Sequence, residues 1–383
     1  MVHRRSMLAG GFALAALVAG RDPRAQPPSS RPPAQALAPP NKRPSFRLEQ
    51  AAAFDHQATG VAVAADGRIF VSFPRWTEDS PVSVAEVGRD GSLKPYPDEA
   101  WNAWRNAQAT TLSPRDHFVC VQSVVADNRG NLWVLDPASP GIDKVITGGP
   151  KLVRIELATN KVAQVIRFGE EVALQGSYLN DVRFHPDGAT AFITDSGARG
   201  AIVVVDLQSG EARPRLDGHP STQGEKGVDV SVGGQKLQRP DGRAFQAAAD
   251  GIALSADGRT LYWQALTGRT LYSIETSALM SDNQDDAAKK VTKLGTTNIA
   301  DGLLMTRDGQ LYLTSPEDNS IKAWTGQRAE SVIADPQLSW PDSLAEAPDG
   351  SIYVTASRLH EMPWFRQGAP NVLPTKLFHL ARQ

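Results

Sequence analysis

Six times between residues 58 and 356 the chain repeats one pattern of apolar and polar positions. A short apolar or alternating run leads into an Asp/Asn-rich turn ending in glycine. A second run rich in Val, Ile, Tyr and Trp follows. The units are ATGVAVAADGRIFVSF (58–73), VQSVVADNRGNLWVLD (121–136), LNDVRFHPDGATAFITD (179–195), ADGIALSADGRTLYWQ (249–264), ADGLLMTRDGQLYLTS (300–315) and PDSLAEAPDGSIYVTA (341–356). Their turn glycines are Gly67, Gly130, Gly188, Gly258, Gly309 and Gly350, so the spacing is irregular while the unit is constant.

Further strand patterns follow the hairpins, as in SVAEVGRDGSLKPYP, LVRIELATNKVAQVIRF, AIVVVDLQSGEARPRLD and TLYSIETSAL. Each unit therefore predicts a four-stranded sheet. An isolated sheet of this kind cannot hide both faces, and stacking six of them radially supplies a continuous core with only short edges. The expected fold is all-β, a six-bladed β-propeller. RPSFRLEQAAAF (43–54) has no repeat of its own, and KLFHLARQ ends the chain after the sixth hairpin. Together they predict that the N-terminal strand closes the last blade. Helix is expected only around 98–108 and 277–290.

Composition narrows the rest. The 383 residues carry a net charge of -2, and no Lys/Arg run occurs in the body, which argues against nucleic acid as the main partner. The single cysteine, Cys120, sits in the apolar run FVCVQSVVA and reads as a buried thiol. No GxGxxG opens a helix, and no GxxxxGK[ST], GxSxG or HExxH occurs. Residues 1–25, with Arg4-Arg5 ahead of a short apolar stretch, read as an export signal of the twin-arginine type, placing the mature chain in the periplasm or outside the cell. Residues 26–42 read as a Pro/Ala linker and 43–383 as the propeller, with no membrane anchor once the signal is removed. Oligomeric state is not legible.

The candidate chemistry comes from counting. Eight residues before each turn glycine stand Thr59, Gln122, Asn180, Asp250, Asp301 and Asp342. All precede the innermost strand of a blade, so the fold gathers them at one mouth of the central channel. Three carboxyls at short range repel unless their pKa rises or a cation joins them. An all-oxygen set suits a hard divalent ion, calcium first, with magnesium or manganese behind it. Asn180, Asp250, Asp301 and Asp342 are the expected metal ligands, Asp250 and Asp301 the candidate bases, and Thr59 and Gln122 the ligand-pocket residues. The plainer reading is that these side chains cap backbone N–H groups and hold water. His360 is a candidate acid or base reaching in from the last blade. His219 has a similar standing, His185 reads as an exposed turn residue, and Asp195-Ser196 and Asp136 read as turn residues or as a frame of the same mouth, the turn being favoured. The weakly patterned segment 218–248 reads as an insertion that shapes a pocket or a plain loop. Trp76, Trp101 and Trp104 read as packing or as a ligand wall.

VQSVVADNRGNLWVLD, YLNDVRFHPDGATAFITDSGARG, ADGIALSADGRTLYWQALTGRTLYSI, NIADGLLMTRDGQLYLTSPEDNSIKAW and WPDSLAEAPDGSIYVTA together resemble the major royal jelly protein / yellow family, whose bacterial members are described as related to dopachrome tautomerase. The resemblance implies a six-bladed, secreted propeller. A wider similarity is to the gluconolactonase, regucalcin and paraoxonase group of metal-dependent lactone hydrolases. There Asn180 and Asp250 match two calcium ligands, while Thr59 stands where that group has a glutamate. Two functions are therefore carried forward. One is a metal-assisted hydrolase or isomerase of a small lactone-like or oxygen-rich compound. The other is a non-catalytic binder of small aromatic or amine ligands.

Overall fold

The computed structural model describes residues 45–76, 80–142, 144–239, 241–366 and 372–383. The export signal and the linker fall on residues outside this set. Each repeat forms an antiparallel sheet, built outward from its innermost strand. These innermost strands are Val61–Val63, Ser123–Ala126, Leu179–Phe184, Ala249–Leu254, Leu303–Met305 and Pro341–Glu346. Six four-stranded sheets result. The six turn glycines all hold positive φ, between 74° and 84°, a conformation costly for any other residue.

The ring closes as the strand pattern predicts. Phe46–Phe54 pairs antiparallel with Thr375–Arg382, which pairs with Ile352–Ala356, so blade six takes its outer strand from the start of the described chain. Apolar cores lie between neighbouring blades. The core between blades six and one joins Phe54 and Leu377 to Val61 and Val71. Blades three and four meet through Phe192, Ile202 and Val204 against Ile252 and Trp263. With both faces buried, the second strands lose alternation and become continuous apolar runs, as in Asn131–Asp136.

Near the axis the blades touch backbone to backbone. A Cβ on Gly251 would stand 2.5 Å from the Asp301 carbonyl oxygen, and one on Gly302 would overlap the Asp342 carbonyl. Hydroxyls on second strands bridge the same gaps: Ser72 donates to the Gln122 carbonyl (2.9 Å), Thr194 to Asp250 (2.6 Å) and Thr355 to Thr59 (2.5 Å). Each of these three hydroxyls also accepts a backbone N–H of its own blade, from Gly60, Asp181 and Ser343 respectively. Buried polar backbone is thereby satisfied between sheets as well as within them.

The helical expectation holds at 277–290, where Thr276–Met280 and Gln284–Lys290 are helical. At 98–108 it gives way to turns and one 3-10 turn, Asn106–Gln108. The cause is Asn102, whose buried amide accepts from Ser83 N and Val84 N and donates to the Tyr96 and Asp98 carbonyls, tying the segment to blade one. Among the described residues no helix is long and apolar enough to cross a membrane.

The close approach at the axis predicts that Gly302→Ala and Gly251→Ala each lower stability by about 1–3 kcal/mol, the usual range for overpacking. Urea denaturation reads this. Gly141→Ala, where nothing lies within 4 Å of the added carbon, is the control and should change little.

Candidate functional site

In blades three, four and six the innermost strand slips register by one residue, between Leu179 and Val182, Ala249 and Ile252, and Pro341 and Leu344. Such bulges re-aim side chains. The re-aimed residues include Asn180, Asp250 and Asp342. Asp301 stands in the same place in blade five, where the Thr314 hydroxyl accepts both Asp301 N and Gly302 N. Gln122, Asn180, Asp250, Asp301 and Asp342 converge on the floor of a pocket of about 390 Å³. Gln122, Asn180, Asp301 and Asp342 also line a second, polar cavity of about 10 Å³, room for about one water.

Thr59 and His360 are placed differently. Thr59 is fully buried, and its hydroxyl donates to the Gln122 carbonyl (3.0 Å), so it serves the blade-one/blade-two joint and does not line the pocket. His360 does not line it either, because its ring lies flat against Trp340, with centroids 5.8 Å apart. His219 is bonded to Ser221 (2.8 Å) away from the floor. Asp195 receives the N–H groups of Tyr178 (2.8 Å) and Gly197 (3.0 Å) as a turn residue, while its neighbour Ser196 lines the pocket. Asp136 receives Val119 N and Cys120 N and pairs with Lys151 (2.9 Å) in full burial. Burial pushes the Cys120 thiol far up, consistent with an inert thiol.

The polar groups of the floor are satisfied in series. The Asn180 amide donates to Asp250 Oδ1 (2.7 Å). Asp250 and Asp301 lie close enough to act on one another's ionisation, and a proton shared within the pair relieves their like charge. Trp340 Nε1–H donates to Asp301 Oδ2 (2.6 Å). Burial, followed by the charges of Asp301 and Asp342, drives Asp250 well above the usual carboxylate range. Burial and the charge of Asp301 do the same to Asp342. Burial raises Asp301 as well, and the Trp340 N–H resists, leaving it at about 6. These shifts favour a proton held within the Asp250–Asp301 pair at neutral pH.

The donor set, all oxygen, has the chemistry of a hard-cation site. Among the described residues no group of three acidic, histidine or cysteine side chains is placed to hold a metal ion, and the Asn180 amide turns its N–H toward Asp250.

Above the floor the walls are aromatic. Trp76, Tyr178, Phe245, Trp364 and Phe365 line the pocket. Trp76 lies 5.9 Å from Trp364, and Phe245 meets Phe365 edge-on at 5.1 Å, so the insertion 218–248 and the loop after blade six's second strand form the roof together. Trp76 Nε1–H donates to the Tyr178 hydroxyl (2.7 Å), which donates to Gln122 Oε1 (2.8 Å). One lone pair of the phenol remains. Tyr178 and Trp340 were not singled out by turn counting, yet the count contains them: each stands two residues before its blade's floor position.

Residues 119–364, well over half of the chain, match the major royal jelly protein family model. The chain belongs to the major royal jelly protein family. It is 23% identical over 252 residues to major royal jelly protein 6 of Apis mellifera, covering 62% of this chain and 53% of that one. To protein yellow of Drosophila erecta it is 24% identical over 277 residues, covering 67% and 49%. The chain spans about half the length of these relatives. Among solved structures, a gluconolactonase of Xanthomonas campestris superposes with a TM-score of 0.54 at 14% identity, over 92% of this chain and 99% of that one. That likeness is one of fold. The family match contains the pocket floor and Trp340.

The floor makes a prediction for stability. A carboxyl raised in the fold stabilises it fully below the unfolded pKa, and that contribution is lost as pH climbs to the folded value. For Asp301 the window runs from 3.8 to about 6. Asp301's own share of the fall in stability across it is on the order of 3 kcal/mol, and Asp250 and Asp342, raised further, add to the same limb. Asp301→Asn should make that limb shallower in a pH series of urea melts; an unchanged slope would contradict the assignment.

Proposed function

We propose that this member of the royal jelly family binds a small aromatic molecule carrying a protonated amine, ring against the aromatic walls and ammonium on the acidic floor. The observation that carries the reading is the pairing of an acidic floor with aromatic walls: Asp250, Asp301 and Asp342 lie in one pocket with Trp76, Tyr178, Phe245, Trp364 and Phe365. Asn180 and Tyr178 each donate inside the protein, to Asp250 and Gln122. Donors also line the pocket at Ser196, Arg239 and Gln246, so a donor-bearing ligand finds its acceptors on the floor. An ammonium also supplies the charge the crowded carboxyls lack, and indole and phenol faces favour a cation.

A second reading rests on the Asp250–Asp301 pair. Two carboxyls sharing one proton can give it to one atom of a bound ligand and take it from another, which is isomerase chemistry without water or a leaving group. Hydrolysis of a lactone-like compound with a calcium ion remains the third proposal. It needs the shared proton replaced by the ion, and stoichiometric metal in the purified protein would favour it over the other two.

Calorimetry with phenethylamine and its ring-hydroxylated analogues tests the main reading. Binding should strengthen from pH 5 to pH 7 as Asp301 ionises near 6, by up to about tenfold per unit, while the amine stays protonated throughout. Asp301→Asn should weaken it by about tenfold or more, as loss of a charged partner does. Ligand recovered unchanged supports a binder, and a tautomer in the eluate supports the isomerase. No binding across the panel at pH 7 would refute the amine reading.

A further inference from the structure

Trp340 is the one aromatic among the described residues with left-handed backbone, φ 56°. Bulky residues rarely adopt it. The next residue is Pro341, which favours extended backbone before it, so two local rules are broken at once. Outliers of this kind persist only where the surroundings over-determine them, and they gather at functional sites.

The surroundings here are specific. The indole is fully buried among Leu266, Ile299, Leu359 and Met362. The His360 ring backs it at an interplanar angle of 17°. The Trp340 carbonyl accepts the backbone N–H of Ser357 (3.0 Å). What the strained backbone delivers is the 2.6 Å bond to Asp301, a residue of the preceding blade.

The repeat shows that this reach is a position and not an accident of packing. Tyr178 stands at the same place in blade three and bonds back to Gln122, the floor residue of blade two. Gln57 stands there in blade one, and its amide donates back to the Ser357 carbonyl of blade six (2.5 Å). In blades two, four and five the position holds Cys120, Ala248 and Ile299, which have no strong donor to offer.

We infer that Trp340 is a positioning residue of the site: its indole N–H fixes the Asp301 carboxyl as the acceptor of the pair, so that the floor's charge faces the pocket at one place. The inference rests on the amine-binding reading and extends it. One bond aims the charge that selects an ammonium over a neutral group of the same shape.

Trp340→Phe keeps a ring against His360 and removes the N–H. Two probes read the result, phenethylamine and the neutral 2-phenylethanol. The inference expects phenethylamine affinity to fall by about tenfold or more, the loss of one charge-assisted hydrogen bond. Affinity for the alcohol should hold. Equal losses for both would make Trp340 a packing residue and overturn the inference, as would no loss for either.

A ligand-free measurement separates this from a failure of the amine reading. The indole N–H signal of Trp340, identified by its absence in Trp340→Phe, should move upfield in Asp301→Ala and resist deuterium exchange in wild type. An indole signal indifferent to Asp301 would overturn the inference even if amines bind. If the signal responds while neither probe binds wild type, the amine reading fails and the positioning of Asp301 stands. Should Trp340→Phe fail to fold, resonance assignment of the wild type identifies the Trp340 signal, and Asp301→Ala with its intact Trp340 still gives the spectroscopic answer.

Discussion

Backbone contact at the axis governs this molecule. Six twisted sheets share a ring of cores only if their innermost strands come close enough for one blade's carbonyl to meet the next blade's Cα. Gly251 and Gly302 exist for that approach, with the Asp301 and Asp342 carbonyls where side chains would stand. The same closeness sets the charge of Asp301 against both Asp250 and Asp342. The fold therefore creates an electrostatic problem in the act of closing, and the site is its solution.

That solution is a graded set of partners. Asn180 and a shared proton satisfy Asp250, and an indole satisfies Asp301. Burial raises all three carboxyls, and at Asp301 the indole N–H resists the rise. Aromatic rings from non-repeating loops, joined by Tyr178 of blade three, line the pocket above this acidic floor.

Much of this was legible in the chain. The six hairpins, their turn glycines and the closing strand follow from period-two patterning and turn chemistry, which are local. The convergence of Gln122, Asn180, Asp250, Asp301 and Asp342 also follows, because a propeller turns equal repeat positions into neighbours. Other parts depend on rotamers and on non-repeating loops. The Asp-Gly pairs read as a question about the aspartate, whereas the glycine answers to an inter-blade contact that one sequence cannot display. Thr59 shares the count but not the pocket, since its short hydroxyl is captured by the Gln122 carbonyl. His360 sits beside the site in sequence terms yet stacks behind Trp340. The helix expected at 98–108 is undone by one buried asparagine, Asn102, whose partners lie in blade one.

Whether a proton holds this floor together is open to direct observation. Infrared spectra of the ligand-free protein at about pH 8, a pH at which ordinary carboxyls are fully ionised, should retain a carboxylic-acid C=O band. That band should diminish in Asp250→Asn. A wild-type spectrum without any protonated carboxyl at that pH would contradict the account.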